Sequence, residues 1–304
     1  MKVGVIGTFN RDVIYPWQGA RVESVGGLYF SVLYLANLLK STYEILPIAF
    51  VGDDFYQKVV DELSEYRNIN LSGIQRVAEE NTLVTLTYTG SGERKEIISK
   101  PMPPLGIEQL RILENADVVI LNLITGMDVD LAEMQEFRAA NDAVIYMDFH
   151  SHALGIDEHG KRFYRRPDDW KEWVNLADVL QINEMEARTL AGYSAAAPND
   201  RLIEFGRRLL QYNPSVCHIT LADQGSFLFF IKDDSVVVQK NAGITVNEPV
   251  DAIGCGDAFA AAYLANYFKT HDEITATQFA NKVAAMNCTF VGSSGIDKVR
   301  KLVF

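Results

Sequence analysis

The segment from 251 to 259 reads Asp-Ala-Ile-Gly-Cys-Gly-Asp-Ala-Phe and holds the residue types best suited to chemistry. It precedes an apolar run from 260 to 268 that predicts a helix. Glycines allow a tight turn that brings backbone N–H groups close to an anion, and the helix dipole adds to the attraction. A carboxylate in the same first turn would repel a phosphate, so its expected task is to take a proton from an attacking hydroxyl group. The segment therefore predicts Asp257 as a catalytic base at a phosphate-binding helix start.

Two other interpretations apply to the same segment. Asp257 in isolation fits equally well as a helix-start residue that only stabilises the helix dipole. A dinucleotide-binding fingerprint, G-x-G-x-x-G, would need a third glycine where Phe259 stands. The dipole interpretation stays open on this segment alone, whereas NAD binding is set aside.

A second polar cluster, at the end of a predicted strand, favours a different reaction class. Asp148, His150 and His152 alternate along the chain, and an extended His-x-His points both imidazoles to the same side, as at a metal centre. Such a centre would need further ligands, but His218 begins a predicted strand and His271 lies between predicted helices. A metal-dependent hydrolase built on this cluster is the distant alternative.

Short apolar runs recur along the chain and are separated by segments with apolar residues at helical spacing, which predicts βαβ units. The predicted strands cover residues 3–7, 45–51, 118–123, 143–148, 179–182 and 218–221. We therefore expect an α/β fold with three layers, in which a central, mostly parallel sheet lies between helices. Residues 1–304 are expected to form a single domain.

The segment from 82 to 88 departs from the βαβ pattern, because apolar and polar residues alternate along it. It is followed by Gly90-Ser91-Gly92 and a second run from 96 to 99. This pattern predicts a β-hairpin outside the main sheet. Open α/β sheets bind ligands at the carboxyl ends of their strands, where a hairpin would act as a lid. We assign the lid to two segments, at about 13–25 and 82–100.

Composition limits the partners of the chain. With 304 residues, 48% hydrophobic content and 22% charge, the chain can bury a large core. A net charge of -12 disfavours nucleic acid as a partner, because phosphate binding needs a surplus of Lys and Arg. The three cysteines have no metal-site spacing, which favours a reducing compartment. The chain starts directly with an apolar run of about five residues, too short for a signal peptide or a membrane span, so we expect a cytoplasmic protein with no membrane contact.

The segment from 251 to 259 resembles the second signature of the ribokinase-like (PfkB-type) family of sugar and nucleoside kinases, roughly D-T-x-G-A-G-D-x-F. The resemblance implies that Asp257 is the catalytic base. It also implies that the backbone amides of three consecutive residues form an anion hole for the transferring phosphoryl group: Gly254, Cys255 and Gly256. The two departures, Ala252 and Cys255, are small and compatible with this backbone geometry.

The resemblance extends over nearly the whole chain, in the order of the family's motifs. Asp12, just after the first predicted strand, matches the Asp that binds substrate hydroxyls, although alone it would serve as a loop cap. Gly26 and Gly27 match a substrate loop in which missing side chains let a sugar approach the backbone. Ser31 stands where the family usually has a substrate-binding Asn, and its single, shorter hydroxyl changes the expected contacts.

Other matches imply the nucleotide and metal sites. Asn183 and Glu186 resemble the family's N-x-x-E, which holds magnesium through water and orients the phosphates, so Asn183 is expected to bind ATP and Glu186 the metal. An ordinary capping box remains an equal alternative. The matches to a nucleotide-contacting turn and an adenine-pocket helix are Thr220, Gly225 and Asn281. The matches to a potassium site are Asp251 and the carbonyl group of Ile253.

Together these features predict an ATP-dependent kinase that phosphorylates a hydroxymethyl group of a small sugar, as a monomer or homodimer. An adenosine-type nucleoside kinase is the alternative within the class. A non-catalytic sensor of sugars or nucleotides is disfavoured because the Gly-x-Gly-Asp set is intact. The implied cofactors are ATP and Mg²⁺, with K⁺ as an activating ion.

Overall fold

The computed structural model describes residues 1–16, 19–88 and 94–302. Its strands are β1 (Lys2–Ile6), β2 (Phe9–Tyr15), β3 (Val22–Gly27), β4 (Glu44–Gly52), β5 (Ile74–Val77), β6 (Leu83–Tyr88), β7 (Arg94–Ser99), β8 (Val118–Asn122), β9 (Val144–Asp148), β10 (Leu154–Ile156), β11 (Arg162–Tyr164), β12 (Val179–Asn183), β13 (Val216–Thr220), β14 (Gly225–Lys232) and β15 (Ser235–Ala242). Its helices are α1 (Leu28–Leu38), α2 (Tyr56–Leu63), α3 (Ile107–Leu110), α4 (Leu131–Ala140), α5 (Trp170–Val174), α6 (Glu184–Ala191), α7 (Asn199–Leu209), α8 (Cys255–Thr270) and α9 (Glu273–Asn287).

The main sheet has nine strands in the order β15-β14-β13-β12-β9-β8-β1-β4-β5. All neighbouring pairs from β13 to β5 are parallel, and β14 runs antiparallel to both of its neighbours. The inner strands are buried on both faces, which is why they read as continuous apolar runs; β8 is buried at every position. The predicted mostly parallel sheet is confirmed, and each predicted apolar run corresponds to one of its strands.

Helices cover both faces of this sheet, so the predicted three-layer arrangement is also confirmed. Residues of α1, α2, α8 and α9 pack into one hydrophobic cluster and residues of α3 to α7 into another. Successive strand residues alternate between the two clusters, as Ile45 and Leu46 do. Across the described residues, no helix has both the length and the apolar character needed to cross a membrane.

The smaller sheet has four strands in the order β3-β2-β6-β7. It contains the segments predicted as a lid, and its own apolar cluster includes Ile14, Val84 and Leu86. Ile253, from the loop before α8, packs against that cluster and so connects the smaller sheet to the predicted phosphate site. Asp12 lies within β2 and is not in the loop expected after the first strand. The predicted turn at Gly90-Ser91-Gly92 lies outside the described residues.

Candidate active site

A pocket of about 520 Å³ opens at the carboxyl ends of the central strands. Its floor includes the last residues of β8, β9, β12 and β13, and parallel pairing brings these ends to the same edge of the sheet. The smaller sheet and the β10–β11 hairpin supply the opposite wall. Predicted site residues lining this one pocket are Asp12, Gly27, Asn183, Glu186, Thr220, Ile253, Gly254, Cys255, Gly256 and Asp257.

Helix α8 begins at this pocket with a glycine that no other residue could easily replace. Gly254 is the N-cap residue and has φ 81°, in the left-handed region. A Cβ atom built on it would lie 2.6 Å from the Phe30 ring. Because a glycine N-cap has no side chain, it cannot satisfy the first N–H groups of the helix as Ser or Asp would. The helix start is therefore suited to binding an anion from the pocket.

Asp257, in the first turn of α8, is held by side chains from two other elements. Its Oδ1 accepts hydrogen bonds from Ser31 Oγ at 2.5 Å and from Asn122 Nδ2 at 2.8 Å. Burial raises the pKa of Asp257 to about 6, while these two hydrogen bonds oppose the rise. The carboxyl group therefore stays largely ionised at neutral pH and lies at the pocket surface, as a general base requires.

Ser31 and Asn122 change the prediction made from sequence. Ser31 was expected to contact substrate, but it is 1% exposed within α1, does not line the pocket and donates to Asp257. Asn122 was not predicted at all, although its position at the end of an apolar strand was a usable signal. Its Nδ2 also lies 2.9 Å from Ser31 Oγ, so the three side chains contact one another.

Asp148 belongs to the same pocket and not to a metal-hydrolase centre. Its Oδ2 accepts from Gln181 Nε2 at 3.0 Å, and Gln181 also donates to the carbonyl of Gly256 at 3.1 Å. Burial, followed by the charge of Asp257, raises the pKa of Asp148 to about 8. The Gln181 amide therefore links the end of β9 to the first turn of α8.

The two histidines proposed for a hydrolase are not brought together at a metal centre. His152 is buried against Phe149 and Trp173, with Nε2 3.3 Å from an oxygen of Asp169. His150 is exposed and lines the pocket. Within the described ranges, no group of three or more His, Cys, Asp or Glu side chains is arranged to hold a metal ion. The hydrolase alternative thus has no support.

Asn183 and Glu186 form the capping box that was the alternative to a metal role. Glu186 N donates to Asn183 Oδ1 at 2.9 Å, and Asn183 N donates to Glu186 Oε2 at 2.8 Å. Glu186 is 3% exposed, and burial, followed by the charge of Asp148, raises its pKa well above the usual value. Asn183 and Glu186 still line the pocket. A divalent cation near the carboxyl groups of Glu186 and Asp148 would stabilise the ionised forms of both.

Asp12, on β2 of the smaller sheet, lines one side of the pocket. A Cβ atom on Gly26 would lie 1.8 Å from Asp12 Oδ2, so only glycine permits this approach. Arg162, from β11, is paired with Glu96 of β7 at 2.9 Å. It also donates to the carbonyl of Ile124 at 3.1 Å, which leaves this buried cation largely committed to the protein.

The residues predicted to bind nucleotide fall at three different places. Thr220 lines the main pocket, whereas Asn281 borders a second pocket of about 300 Å³ between β15 and α9. Asn281 Nδ2 donates to Ser226 Oγ at 3.1 Å. Gly225 lines neither pocket and has φ 92°, and a Cβ atom there would lie 2.1 Å from the carbonyl oxygen of Asn241. Gly225 is therefore required by the backbone turn before β14.

The two predicted potassium ligands already accept hydrogen bonds from the protein. Asp251 accepts from the backbone N–H groups of Ile253 and Gly292, each at 3.0 Å. The carbonyl of Ile253 accepts from Asn287 Nδ2 at 2.7 Å. The arrangement therefore explains the loop conformation without a cation.

Known structures share this fold over almost the entire chain. Ribokinase from Arabidopsis thaliana, solved with ribose and ATP, has 18% identity and a TM-score of 0.77, with coverage of 99% of this chain and 97% of that one. A pyrophosphate-dependent kinase of the ribokinase family has 18% identity and a TM-score of 0.77, with 96% of each chain covered. A nucleoside kinase from Methanocaldococcus jannaschii has 15% identity and a TM-score of 0.70, with 99% and 97% covered.

At these identities the structural matches establish the fold alone, and the family follows from the sequence. The model of the pfkB family of carbohydrate kinases matches residues 31–298. These include Asp257 and the turn from Gly254 to Gly256 at the start of α8, the glycine corner. The chain therefore belongs to the pfkB carbohydrate kinase family and is a phosphotransferase.

Proposed function

We propose that the protein transfers the γ-phosphoryl group of ATP to a hydroxymethyl group of a small, neutral sugar. The observation that carries the proposal is the position of Asp257, whose carboxyl group lines the main pocket in the first turn of a helix with a glycine N-cap. Such a site offers a base and an anion-binding group to the same pair of reactants.

The acceptor binds on the Asp12 side of the pocket. Asp12 is 5% exposed and lines this region together with Asn10, and both offer oxygen atoms to sugar hydroxyl groups. Arg162 is paired with Glu96, so the described side chains of this wall offer little uncommitted positive charge to a sugar acid or sugar phosphate. These features favour a neutral, hydroxyl-rich acceptor.

A nucleoside is the second candidate acceptor because the same region has an apolar side. Phe30, Val84 and Leu86 line the pocket, and apolar side chains could cover the flat face of a base. A nucleoside would still need Asp12 for its ribose hydroxyl groups. The two acceptors therefore differ in their expected dependence on the apolar wall.

The donor lies across the ends of β12 and β13. Its γ-phosphate would contact the backbone amides of the proposed anion hole, Gly254, Cys255 and Gly256, and its base would lie near Asn281. The second pocket beside Asn281 supports ATP over pyrophosphate, because only the nucleotide has a part that would fill it. Thr220 lines the main pocket at the end of β13.

Magnesium is assigned to the Glu186 side of the pocket, through water. When bound, the ion would neutralise phosphate charge in the loose transition state. Glu186 and Asp148 fit this role because both carboxyl groups line the pocket, and a cation would relieve the repulsion by which Asp148 helps to raise the pKa of Glu186. Potassium activation stays a prediction, because the Asp251 carboxylate and the Ile253 carbonyl each accept hydrogen bonds and still have lone pairs for a cation.

In the proposed reaction, Asp257 accepts the proton of the acceptor hydroxyl as the hydroxyl oxygen attacks the γ-phosphorus of ATP. The bond from that phosphorus to the β,γ-bridging oxygen breaks, and ADP leaves. The amides at the start of α8 stabilise the negative charge that spreads over the phosphoryl oxygens. The smaller sheet acts as a lid that excludes water, which would otherwise compete with the acceptor. Alignment of the two substrates supplies a large share of the rate.

A two-way screen tests this proposal. Pentoses, hexoses, keto-acid sugars, sugar phosphates and nucleosides are each incubated with Mg²⁺ and either ATP or pyrophosphate, and the phosphorylated product is identified by mass spectrometry. We expect product from ATP and a neutral sugar. Product formed only from a nucleoside would assign the second candidate, turnover with pyrophosphate alone would overturn the donor, and no product from any pair would refute the proposed activity.

A further inference from the structure

The carboxyl group of Asp257 is fixed by a cluster of three side chains from distant parts of the sequence. Ser31 comes from α1, Asn122 from the end of β8 and Asp257 from α8. Both Ser31 Oγ and Asn122 Nδ2 donate to Asp257 Oδ1, at 2.5 and 2.8 Å. One carboxylate oxygen thus receives both donors, which fixes the rotation of the carboxyl plane.

We infer that Asn122, together with Ser31, is a positioning residue that orients the proposed catalytic base. This inference rests on the proposed role of Asp257 in phosphoryl transfer. A base whose carboxyl plane is fixed meets the acceptor hydroxyl in one orientation, and misplacement of reacting groups lowers turnover more than binding. The effect of Asn122 should therefore appear in kcat.

The amide of Asn122 is better explained by this contact than by packing. The side chain is 1% exposed, and its Oδ1 has no hydrogen-bond partner within the described chain. A buried acceptor without a partner destabilises the folded state, and an apolar side chain of the same shape would avoid that cost. What an apolar residue would lose is the Nδ2 contact with Asp257 and Ser31.

Other ionisable groups near Asp257 also influence its pKa. Asp148, on β9, repels the Asp257 carboxylate, and Tyr34, on α1, interacts with it through its buried hydroxyl group. Neither is changed by substitution of Asn122. Loss of the Nδ2 donor is then expected to raise the pKa of Asp257, because a hydrogen bond to the ionised form is removed.

The test compares Asn122→Leu, which keeps the approximate shape, with Asn122→Asp, which keeps the shape and adds a repelling charge. We expect kcat to fall on the order of 10- to 100-fold, with the acceptor KM changed less than about threefold. We also expect the acid limb of the kcat profile to move to higher pH in both variants, further in Asn122→Asp. Asn37→Leu, another fully buried Asn away from the pocket, is the matched control and should leave the acid limb in place.

The outcomes separate this inference from the proposed function. If Asp257→Asn retains turnover, the base lies elsewhere and both ideas fail. If Asp257→Asn loses turnover but the Asn122 variants keep the wild-type kcat and acid limb, only the positioning role is refuted. A raised acceptor KM with unchanged kcat would instead make Asn122 a substrate contact.

An independent observation concerns two thiol groups at the glycine corner. Cys255 Sγ lies 3.3 Å from Cys288 Sγ, and both residues are partly exposed. Cys288 is the C-cap residue that follows α9, whereas Cys255 is the first residue of α8 and supplies an amide to the proposed anion hole. A disulfide needs an S–S distance of about 2.05 Å, so the sulfur atoms must approach by roughly one ångström or slightly more.

The geometry points to an oxidative modification site: Cys255 and Cys288 form a reversible disulfide that inhibits phosphoryl transfer. With hydrogen peroxide as the oxidant, the two thiols lose two protons and two electrons, the S–S bond forms, the O–O bond breaks and two water molecules are released. Movement of the Cys255 sulfur would displace the first residue of α8, where the amide must face the phosphate. Oxidation of the two thiols would therefore lower the activity of the enzyme.

The disulfide and its effect are measured separately. The reduced protein is treated with hydrogen peroxide, and mass spectrometry after alkylation is expected to show a loss of about 2 Da, with a cross-linked pair of peptides containing Cys255 and Cys288. Cys217 is fully buried and should stay reduced. We expect kinase activity to fall at least about tenfold in proportion to the cross-link and to return with dithiothreitol.

Cys288→Ala is the matched variant, because Cys288 contributes nothing to the proposed reaction. It should keep its activity in peroxide and give no cross-linked peptide. Free thiols at both positions after oxidation of the wild type would refute the disulfide. A complete cross-link with unchanged activity would refute its inhibitory effect. The cross-link is read by mass, so it is tested even if the proposed kinase activity is not found.

Discussion

Two helix starts at the same edge of the sheet behave in opposite ways. Helix α6 begins at Asn183, whose side chain and that of Glu186 satisfy each other's backbone N–H groups. Helix α8 begins at Gly254, which has a left-handed conformation and no side chain to offer. At the start of α6, side chains of the helix accept hydrogen bonds from its first backbone N–H groups. At the start of α8 no side chain caps these N–H groups, so they are suited to binding a ligand. A missing cap at the edge of a pocket therefore predicts an anion site, whereas the helix dipole, which both starts have, does not distinguish them.

The carboxyl groups at the two helix starts, Glu186 and Asp257, differ in their hydrogen-bond partners and therefore in their pKa values. Glu186 folds back onto its own helix start, and burial raises its pKa well above the usual value. Asp257 is held by donors from other elements, so its pKa rises only to about 6 despite burial. A carboxyl group intended as a base at neutral pH needs such donors, because burial alone would keep it protonated.

The largest expected effect follows from removing the base at the uncapped start. Asp257→Asn keeps the shape and the amide can still contact Ser31, so we expect normal folding. Turnover should fall by about 10²- to 10⁴-fold. Steady-state kinetics and thermal unfolding measure the two quantities. Asp272→Asn, at the N-cap of α9 outside the pocket, is the matched control and should leave turnover unchanged.

A smaller effect is expected from adding a methyl group to the corner itself. Gly254→Ala forces a non-glycine residue into φ 81° and directs its Cβ toward Phe30. The left-handed conformation costs about 1–2 kcal/mol of stability, and displacement of the amides should lower kcat by roughly tenfold or more.

The control for this substitution is Gly192→Ala, at the C-cap of α6. Gly192 has φ 72°, and the atom nearest to an added Cβ would be Arg166 Nη1 at 4.0 Å. It should therefore show a similar loss of stability with unchanged kcat. Equal kcat values for the two variants would remove the functional distinction between the two helix starts.

The pH dependence of the wild-type enzyme tests the different pKa values of the two carboxyl groups. Asp257 must be ionised to accept a proton, and its raised pKa is about 6. Below that value the ionised fraction falls about tenfold per pH unit, so kcat should fall as the pH decreases. An acid limb near the usual pKa of an exposed aspartate would contradict the buried, two-donor environment.

The smallest effect is expected at the capped start. Glu186→Gln keeps an acceptor for the backbone of Asn183 and removes the negative charge, so stability should change little. If Glu186 holds magnesium through water, half-maximal activity should require about 10-fold more Mg²⁺. Glu186→Ala loses the capping contact as well and should cost about 1 kcal/mol in stability. An unchanged Mg²⁺ requirement in both variants would leave Glu186 with a capping role only.

Sequence reasoning identified the sheet and the glycine corner because their signals are local. Strands such as β8 are buried on both faces and read as apolar runs, and the Gly-x-Gly-Asp set occupies consecutive positions. It named Asp148 only in the distant hydrolase alternative, because the neighbouring histidines suggested metal ligands. Only the fold shows that His152 packs into the core while Asp148 contacts Gln181 in the pocket.

Ser31 illustrates why the roles of single side chains were harder to predict. Its place in the family pattern indicated substrate contact, yet α1 is buried along its whole length and the Ser31 hydroxyl points to Asp257. Which neighbour a short polar side chain finds depends on helix packing, and no local pattern encodes that distance.

The sequence by itself determined the layered α/β fold, the uncapped helix start and the acid beside it. The signals for these features are the spacing of apolar residues, the spacing of glycines and the residue types, all of which act over a few neighbouring positions. The tertiary structure decided which donors hold that acid. Ser31 and Asn122 are 226 and 135 positions away from Asp257 in the chain, and they meet it only because α1, β8 and α8 converge at the carboxyl edge of one sheet.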